Sequence, residues 1–249
     1  MEGSVAVVMA AGMGTRMKSD LPKVLFPVLG RPMIHYVLDA LEAGGVARVI
    51  AVVGYRADDV RAELAGRKGV EYALQTERLG TGHAVKMATP LLAGQGGAVL
   101  VVAGDSPLIQ SASVRTLLNY FQEYQPACLL GTLHKANPHG LGRIVRDAAG
   151  QFVGIVEEKD AMEEQRKLTE VNMSTYVFNG PDLLHVLDKL QPNNKQGEYY
   201  LTDCPGILRR EGKRVEALPV LKACEALSIN TLDELTQVEA EMRKLGYSQ

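Results

Sequence analysis

The chain has 249 residues, 46% of them hydrophobic, enough to bury one large α/β core with or without a small appendage. Its 27 basic and 29 acidic side chains are scattered and leave a net charge of -2, so no bulk attraction to nucleic acid is expected. Three well-separated cysteines, Cys128, Cys204 and Cys224, imply neither a disulfide framework nor a zinc site and point to a reducing compartment. Met1 leads almost directly into an apolar run, which leaves no room for a signal peptide. No run approaches the ~20 apolar residues of a membrane span, so the expectation is a cytoplasmic protein with no membrane partner.

Residues 5–9 have the length and β-branched content of a buried strand. Gly12 and Gly14 then give the following turn the freedom to set backbone N–H groups against a ligand, which is how a protein holds phosphate. Arg16 and Lys23 supply two cations that suit a polyphosphate whose charge must be neutralised while one of its bonds breaks; a surface turn with solvated charges is the alternative. A Walker A loop is excluded, because Gly14 is followed by Thr15-Arg16-Met17 and not by Lys-Ser/Thr. A dinucleotide fingerprint is weak, because Met17 fills the place of its third small residue.

Pro32 is well placed to open a helix over 33–43. Strands over 49–53, 70–74, 98–103 and 127–130 then alternate with helices over 58–64, 82–92 and 111–124. This rhythm predicts a Rossmann-like, three-layer α/β/α fold whose mostly parallel sheet is covered on both faces, with ligands at the C-terminal edge of the strands. On that edge Gln75 offers an amide suited to a base, and the backbone at Gly80 and Thr81 can approach a ring or a phosphate. His83, in the helix that follows, reads more simply as a packed or hydrogen-bonded histidine than as a catalytic one. Asp105 stands after the strand over 98–103, where it suits a Mg²⁺ that also binds ligand phosphate, or equally serves as a turn former in Gly-Asp-Ser-Pro.

After about residue 135 the rhythm changes. Stretches 143–146, 152–156 and 171–178 are strand-like with turns between them, which predicts an antiparallel excursion. Gly142, Glu157 and Asn172 could there place polar groups above a pocket, although read alone they are ordinary loop and strand-end residues. Helices return over 181–190 and 203–211, strands over 215–218 and 226–229, and an amphipathic helix over 232–245 closes the chain. Thr231 to Glu234 read as a capping box with Thr231 as the cap. Asn230, placed at the end of the strand over 226–229, is left as a second oxygen ligand on the same edge, or as a turn residue.

Taken in order, AAGMGTRM with LPK, LQTERLGTGHA, GDSPL, GRI, GIVEEKDA, EVN, GEYYLTD and Asn230 resemble the sugar-1-phosphate nucleotidyltransferases. The likeness is closest to the uridylyltransferase half of the bacterial bifunctional enzymes that make UDP-N-acetylglucosamine, and it covers nearly the whole chain. It implies that Met9, Ala10, Ala11 and Gly12 line the nucleotide, with Gly14 and Thr15 in the same loop, and that Gln75, Gly80 and Thr81 read the uracil. It further implies that Arg16 and Lys23 hold the triphosphate and stabilise the transition state, that Asp105 and Asn230 bind Mg²⁺, and that Ala103, Gly104, Gly142, Glu157 and Asn172 hold N-acetylglucosamine. The implied substrates are UTP and N-acetylglucosamine-1-phosphate. Another sugar-1-phosphate, such as glucose-1-phosphate with UTP or dTTP, is an alternative, as is a non-catalytic nucleotide-sugar-binding protein. Ala103, Leu141 and Met173-Ser174 depart from the family pattern, all on the sugar side. No hexapeptide repeat is present. The expected organisation is therefore a nucleotidyltransferase domain over 1–230, with its antiparallel sugar-binding part at about 135–180, and a C-terminal helix over 231–249. No left-handed β-helix, no acetyl transfer and no nucleic-acid partner are expected.

Overall fold

Alternating apolar runs and amphipathic segments form the strands and helices of one central sheet, here described from a computed structural model over residues 3–14 and 19–248. In chain order the strands are β1 (Val5–Ala10), β2 (Pro27–Val28), β3 (Arg31–Pro32), β4 (Arg48–Val53), β5 (Val70–Leu74), β6 (Ala98–Ala103), β7 (Cys128–His134), β8 (Arg143–Arg146), β9 (Phe152–Val156), β10 (Glu170–Asn179) and β11 (Val215–Leu218). The helices are α1 (Met33–Gly44), α2 (Ala57–Leu64), α3 (Thr81–Lys86), α4 (Thr89–Leu92), α5 (Ser111–Tyr124), α6 (Glu163–Arg166), α7 (Gly180–Leu187), α8 (Asp203–Arg210) and α9 (Leu232–Lys244).

The main sheet runs β11-β7-β10-β6-β1-β4-β5. Its pairings are parallel except at β10, which lies antiparallel to both β6 and β7, and the β8–β9 hairpin hangs from β10. The period-2 alternation of β1 divides the core in two. Ala6 and Val8 pack with Ile34, Val37, Leu64 and Leu117, while Val5 and Val7 pack with Val85, Leu92, Leu183 and Leu208. Helices therefore cover both faces, each fully buried Val or Leu side chain contributing about 1.5–3 kcal/mol. None of the helices among the described residues is long and apolar enough to cross a membrane.

Two expectations are corrected. The helix over 82–92 is two helices, α3 and α4, because Pro90 lacks the N–H that would continue the ladder through its own position. The stretch 226–229 is not a strand: a 3-10 turn, Ala223–Ala226, stands before it. Glu225 fixes that turn by accepting from the Lys222 and Gln110 backbone N–H groups and from Ser113 Oγ. Asn230 thus follows an irregular segment held by side chains and not a ladder.

A smaller third core joins the ends of the chain. Val238 and Met242 of α9 pack with Val28, Met33, Tyr36 and Leu108. The β2–β3 turn places Leu29 and Gly30 at φ 49° and 78°, both central residues positive as a type I′ turn requires, and the Leu29 N–H donates to Glu239 Oε1 of α9 at 2.9 Å.

Candidate active site

The ends of β1, β5 and β6 open on one edge and enclose a cavity of about 390 Å³. Met9, Ala11, Gly12, Lys23, Gln75, Gly80, Thr81, Ala103 and Asp105 all line it. A Cβ on Gly12 would meet nothing within 4 Å, so this backbone is open to a ligand, whereas Gly14, at φ 71°, backs onto the Lys23 side chain. Ala10 differs from its neighbours in that its side chain belongs to the core with Val8 and Val24. Thr15 and Arg16 lie outside the described residues.

Lys23 enters the cavity from a 3-10 turn, Lys23–Leu25. Its Nζ donates to Asp105 Oδ2 at 2.5 Å and to Asn230 Oδ1 at 2.8 Å. Two oxygens from segments far apart in the chain therefore close on one cation. Asn230 is held from several sides: its N–H donates to Glu234 Oε2, and its Nδ2 donates to Ser228 Oγ. Thr231 caps α9 by accepting from the Glu234 N–H, as its sequence suggested, but the reciprocal Glu234 carboxylate bond reaches the Asn230 N–H, one residue earlier than a capping box has it.

Gln75 is buried just beyond β5. Its Nε2 donates to the Gly80 carbonyl at 3.2 Å and to His83 Nδ1 at 3.1 Å, which uses both amide hydrogens. His83 is therefore a hydrogen-bonded histidine, but one bonded to a residue of the cavity wall. The GEYYLTD segment explains the glycines around it. Tyr199 N–H donates to the Leu79 carbonyl, Gly82 N–H donates to the Tyr199 carbonyl, and Leu201 N–H donates to Thr81 Oγ1. A Cβ at Gly80 or Gly82 would stand 2.6 or 2.9 Å from the Tyr199 carbonyl oxygen, so only glycine lets the two backbones meet. Both motifs are visible in the sequence; that they pair with each other is not.

A second cavity, of about 530 Å³, lies beside the first, and Ala103, Asp105 and Ser174 line both. Asn172 and Asn230 line the second. Asn172 belongs to β10 where a bulge shifts the register between Asn172 and Thr175. Its Nδ2 donates to the Tyr176 hydroxyl at 2.7 Å and its Oδ1 accepts from the Ser174 N–H, so the amide is fixed at both ends. Ser174, inside the bulge, adopts φ 52°, a left-handed conformation that a residue with a Cβ rarely takes. Gly104 is buried and donates its N–H to the Met9 carbonyl, tying the end of β6 to β1. Gly142 accepts from the Asn172 N–H, and a Cβ there would stand 3.5 Å from both Asn172 Cβ and Glu157 Oε1. Glu157 therefore joins Gly142 and Asn172. Burial raises its carboxyl above the usual range, the nearby Asp160 and Asp203 charges add to this, and a hydrogen bond with Thr202 opposes it. Thr202 and Tyr176 are partners that the sequence reading did not single out, although Thr202 lies within GEYYLTD.

The MobA-like NTP transferase domain family matches residues 6–170. Over 244 residues the chain is 44% identical to the bifunctional protein GlmU of Streptococcus suis, covering 98% of this chain and 53% of that protein. It is likewise 44% identical over 230 residues to GlmU of Enterococcus faecalis, covering 92% and 50%. The chain thus spans about half the length of these relatives. Its fold is shared with a UDP-glucose pyrophosphorylase solved with UDP-glucose, at a TM-score of 0.78 and 17% identity over 97% of this chain and 99% of that one. A putative glucose-1-phosphate thymidylyltransferase from Bacillus anthracis gives a TM-score of 0.80 at 16% identity, covering 99% and 98%. By the extent of the first match, which takes in more than half of its residues, the chain belongs to the MobA-like NTP transferase family.

Proposed function

We propose that the protein transfers a uridylyl group from UTP to a sugar-1-phosphate, N-acetylglucosamine-1-phosphate in the first place, releasing pyrophosphate. The observation that carries this reading is the meeting of Lys23 and Asp105, which line the same cavity as the open backbone of Gly12, with Asn230 from the adjoining cavity. Further support comes from the two cavities, one beside Gln75 and the other beside Asn172, with Asp105 on the wall between them. That is the arrangement needed to bring a nucleoside triphosphate and a second phosphate ester together at one point.

The attacking oxygen of a sugar-1-phosphate is already anionic, so the displacement at the α-phosphorus needs no general base. What it needs is alignment of two mutually repelling anions and neutralisation of the charge that builds on the phosphoryl oxygens. Lys23 meets the second need and the two cavities the first. Asp105 Oδ2 and Asn230 Oδ1 already converge on one positive charge, and two protein oxygens of this kind fit Mg²⁺, which keeps its other positions for phosphate and water. When bound there, Mg²⁺ supplies charge neutralisation at the phosphates. Tyr176 fixes the Asn172 amide and Glu157 lies beside it, giving the sugar side a preformed polar wall.

The test is pyrophosphate release measured over a matrix of nucleoside triphosphates and sugar-1-phosphates, with and without Mg²⁺. The expected result is release with UTP and N-acetylglucosamine-1-phosphate that stops when EDTA is added. Release from no pair at all overturns the enzyme reading. Release restricted to a different pair keeps the reaction and replaces the substrates.

A further inference from the structure

The hydrogen bond between Gln75 and His83 fixes more than a side-chain rotamer. A glutamine amide is a donor at one end and an acceptor at the other, and if rotated by 180° it presents the opposite chemistry at the same place. In this structure the Nε2 end is bonded to the Gly80 carbonyl at 3.2 Å and to His83 Nδ1 at 3.1 Å, and no described residue donates to Oε1. Gln75 is 5% exposed and lines the cavity, so what it offers a ligand is a bare acceptor. The Gly80 carbonyl can only accept, and Nδ1 accepts in the tautomer that carries its proton on Nε2. The Gly80 carbonyl therefore holds the amide in one orientation outright, and His83 adds to it in the tautomer protonated on Nε2. His83 is the only one of the two that is a side chain, and the half-buried ring is carried by the same helix start as Thr81.

We infer that His83 is a positioning residue that sets pyrimidine choice by locking the Gln75 amide with its oxygen toward the base. This rests on the proposal that the cavity binds a nucleoside triphosphate. Uracil carries an N–H at N3, which such an oxygen accepts; cytosine carries a lone pair at the same position, which it repels. A buried acceptor left facing an acceptor is costly, so one fixed amide separates the two bases by about tenfold to a hundredfold. Without His83 the amide keeps one restraint, the Gly80 carbonyl. Turning it over then opposes one acceptor in place of two, which lowers the cost of donating to cytosine N3.

The experiment measures binding of UTP and of CTP to the full chain by calorimetry, alongside pyrophosphate release, for the wild type and three variants. His83→Leu and His83→Phe remove the acceptor; His83→Asn retains a neutral acceptor near the position of Nδ1. The expected result is that the Leu and Phe variants lower the UTP-to-CTP preference about tenfold while the Asn variant stays close to wild type. Equal weakening of both nucleotides, an unchanged ratio in the apolar variants, or an Asn variant that behaves like Leu overturns the inference and leaves the proposed reaction standing. Absence of pyrophosphate release by the wild type, with a His83-dependent binding preference intact, does the reverse.

Discussion

The two sides of the cleft are built from different materials. The side formed by β1, β5 and α3 presents mainly backbone and small residues, Ala11, Gly12, Gly80 and Thr81, held at the ends of parallel strands. The side formed by β8, β9 and β10 presents the polar side chain of Asn172, braced by Tyr176 on the antiparallel, bulged strand β10, with Glu157 and its partner Thr202 packed behind it. A backbone-lined wall tolerates little change of chain path, and what selectivity it has is concentrated in the one buried polar side chain it carries, Gln75. A side-chain wall recognises what distinguishes one ligand from another and can be altered residue by residue.

The sharpest test of this contrast is at Lys23, whose 3-10 turn belongs to neither wall. Lys23→Ala is expected to lower turnover by about 10²-fold or more, as removal of a preorganised stabilising group does, with either substrate varied. Steady-state kinetics within tenfold of wild type would break the assignment. On the backbone side, Gly80→Ala forces a Cβ at φ 108° to within 2.6 Å of the Tyr199 carbonyl oxygen. The left-handed conformation alone costs about 1–3 kcal/mol, so thermal denaturation is expected to show a clear loss together with a raised KM for UTP. At the bulge, Ser174→Gly relieves the φ of 52° and is expected to stabilise by about 1 kcal/mol, raising Tm by about 2–4 °C. A fall in Tm would show that the bulge depends on the serine.

The smallest expected effect is electrostatic. The Glu157 carboxyl is raised by burial and by the Asp160 and Asp203 charges, so it holds its proton more tightly folded than unfolded. Its stabilising contribution is complete below the ordinary carboxylate range and is lost as the pH rises through the raised value. Glu157→Gln mimics the neutral form, so its Tm should fall less than that of the wild type between pH 4 and pH 8. Parallel Tm profiles would mean that Glu157 is not desolvated as the fold implies.

The same contrast governs what was legible in the sequence. Strands β5, β6, β8, β9 and β11 and helix α5 follow directly from periodicity and turn residues, because local pattern decides them. The family resemblance, too, rested on motifs in fixed order. Two elements were misread for physical reasons. The helix break near Pro90 was hidden by continuous apolar spacing, and 226–229 had the composition of a strand but no partner strand to pair with. Two site pairings were illegible because they cross the chain: Glu157 with Thr202, and GEYYLTD with the loop at Gly80, join segments that no local window contains. The bond from Asn172 to the Tyr176 hydroxyl is local, but it depends on the β10 bulge, which the apolar pattern does not announce. His83 was read as structural, and it is, but its partner is Gln75 in the cavity wall.

The bond between Glu239 Oε1 and the Leu29 N–H joins α9 to the hairpin that follows Lys23. Since Asn230 immediately precedes α9, one helix fastens both the amide oxygen and the chain segment that delivers the ammonium it meets. Helix α9 is thus a tie-rod between two corners of the Lys23–Asp105–Asn230 triangle, so that any change in how it seats is felt at both corners at once.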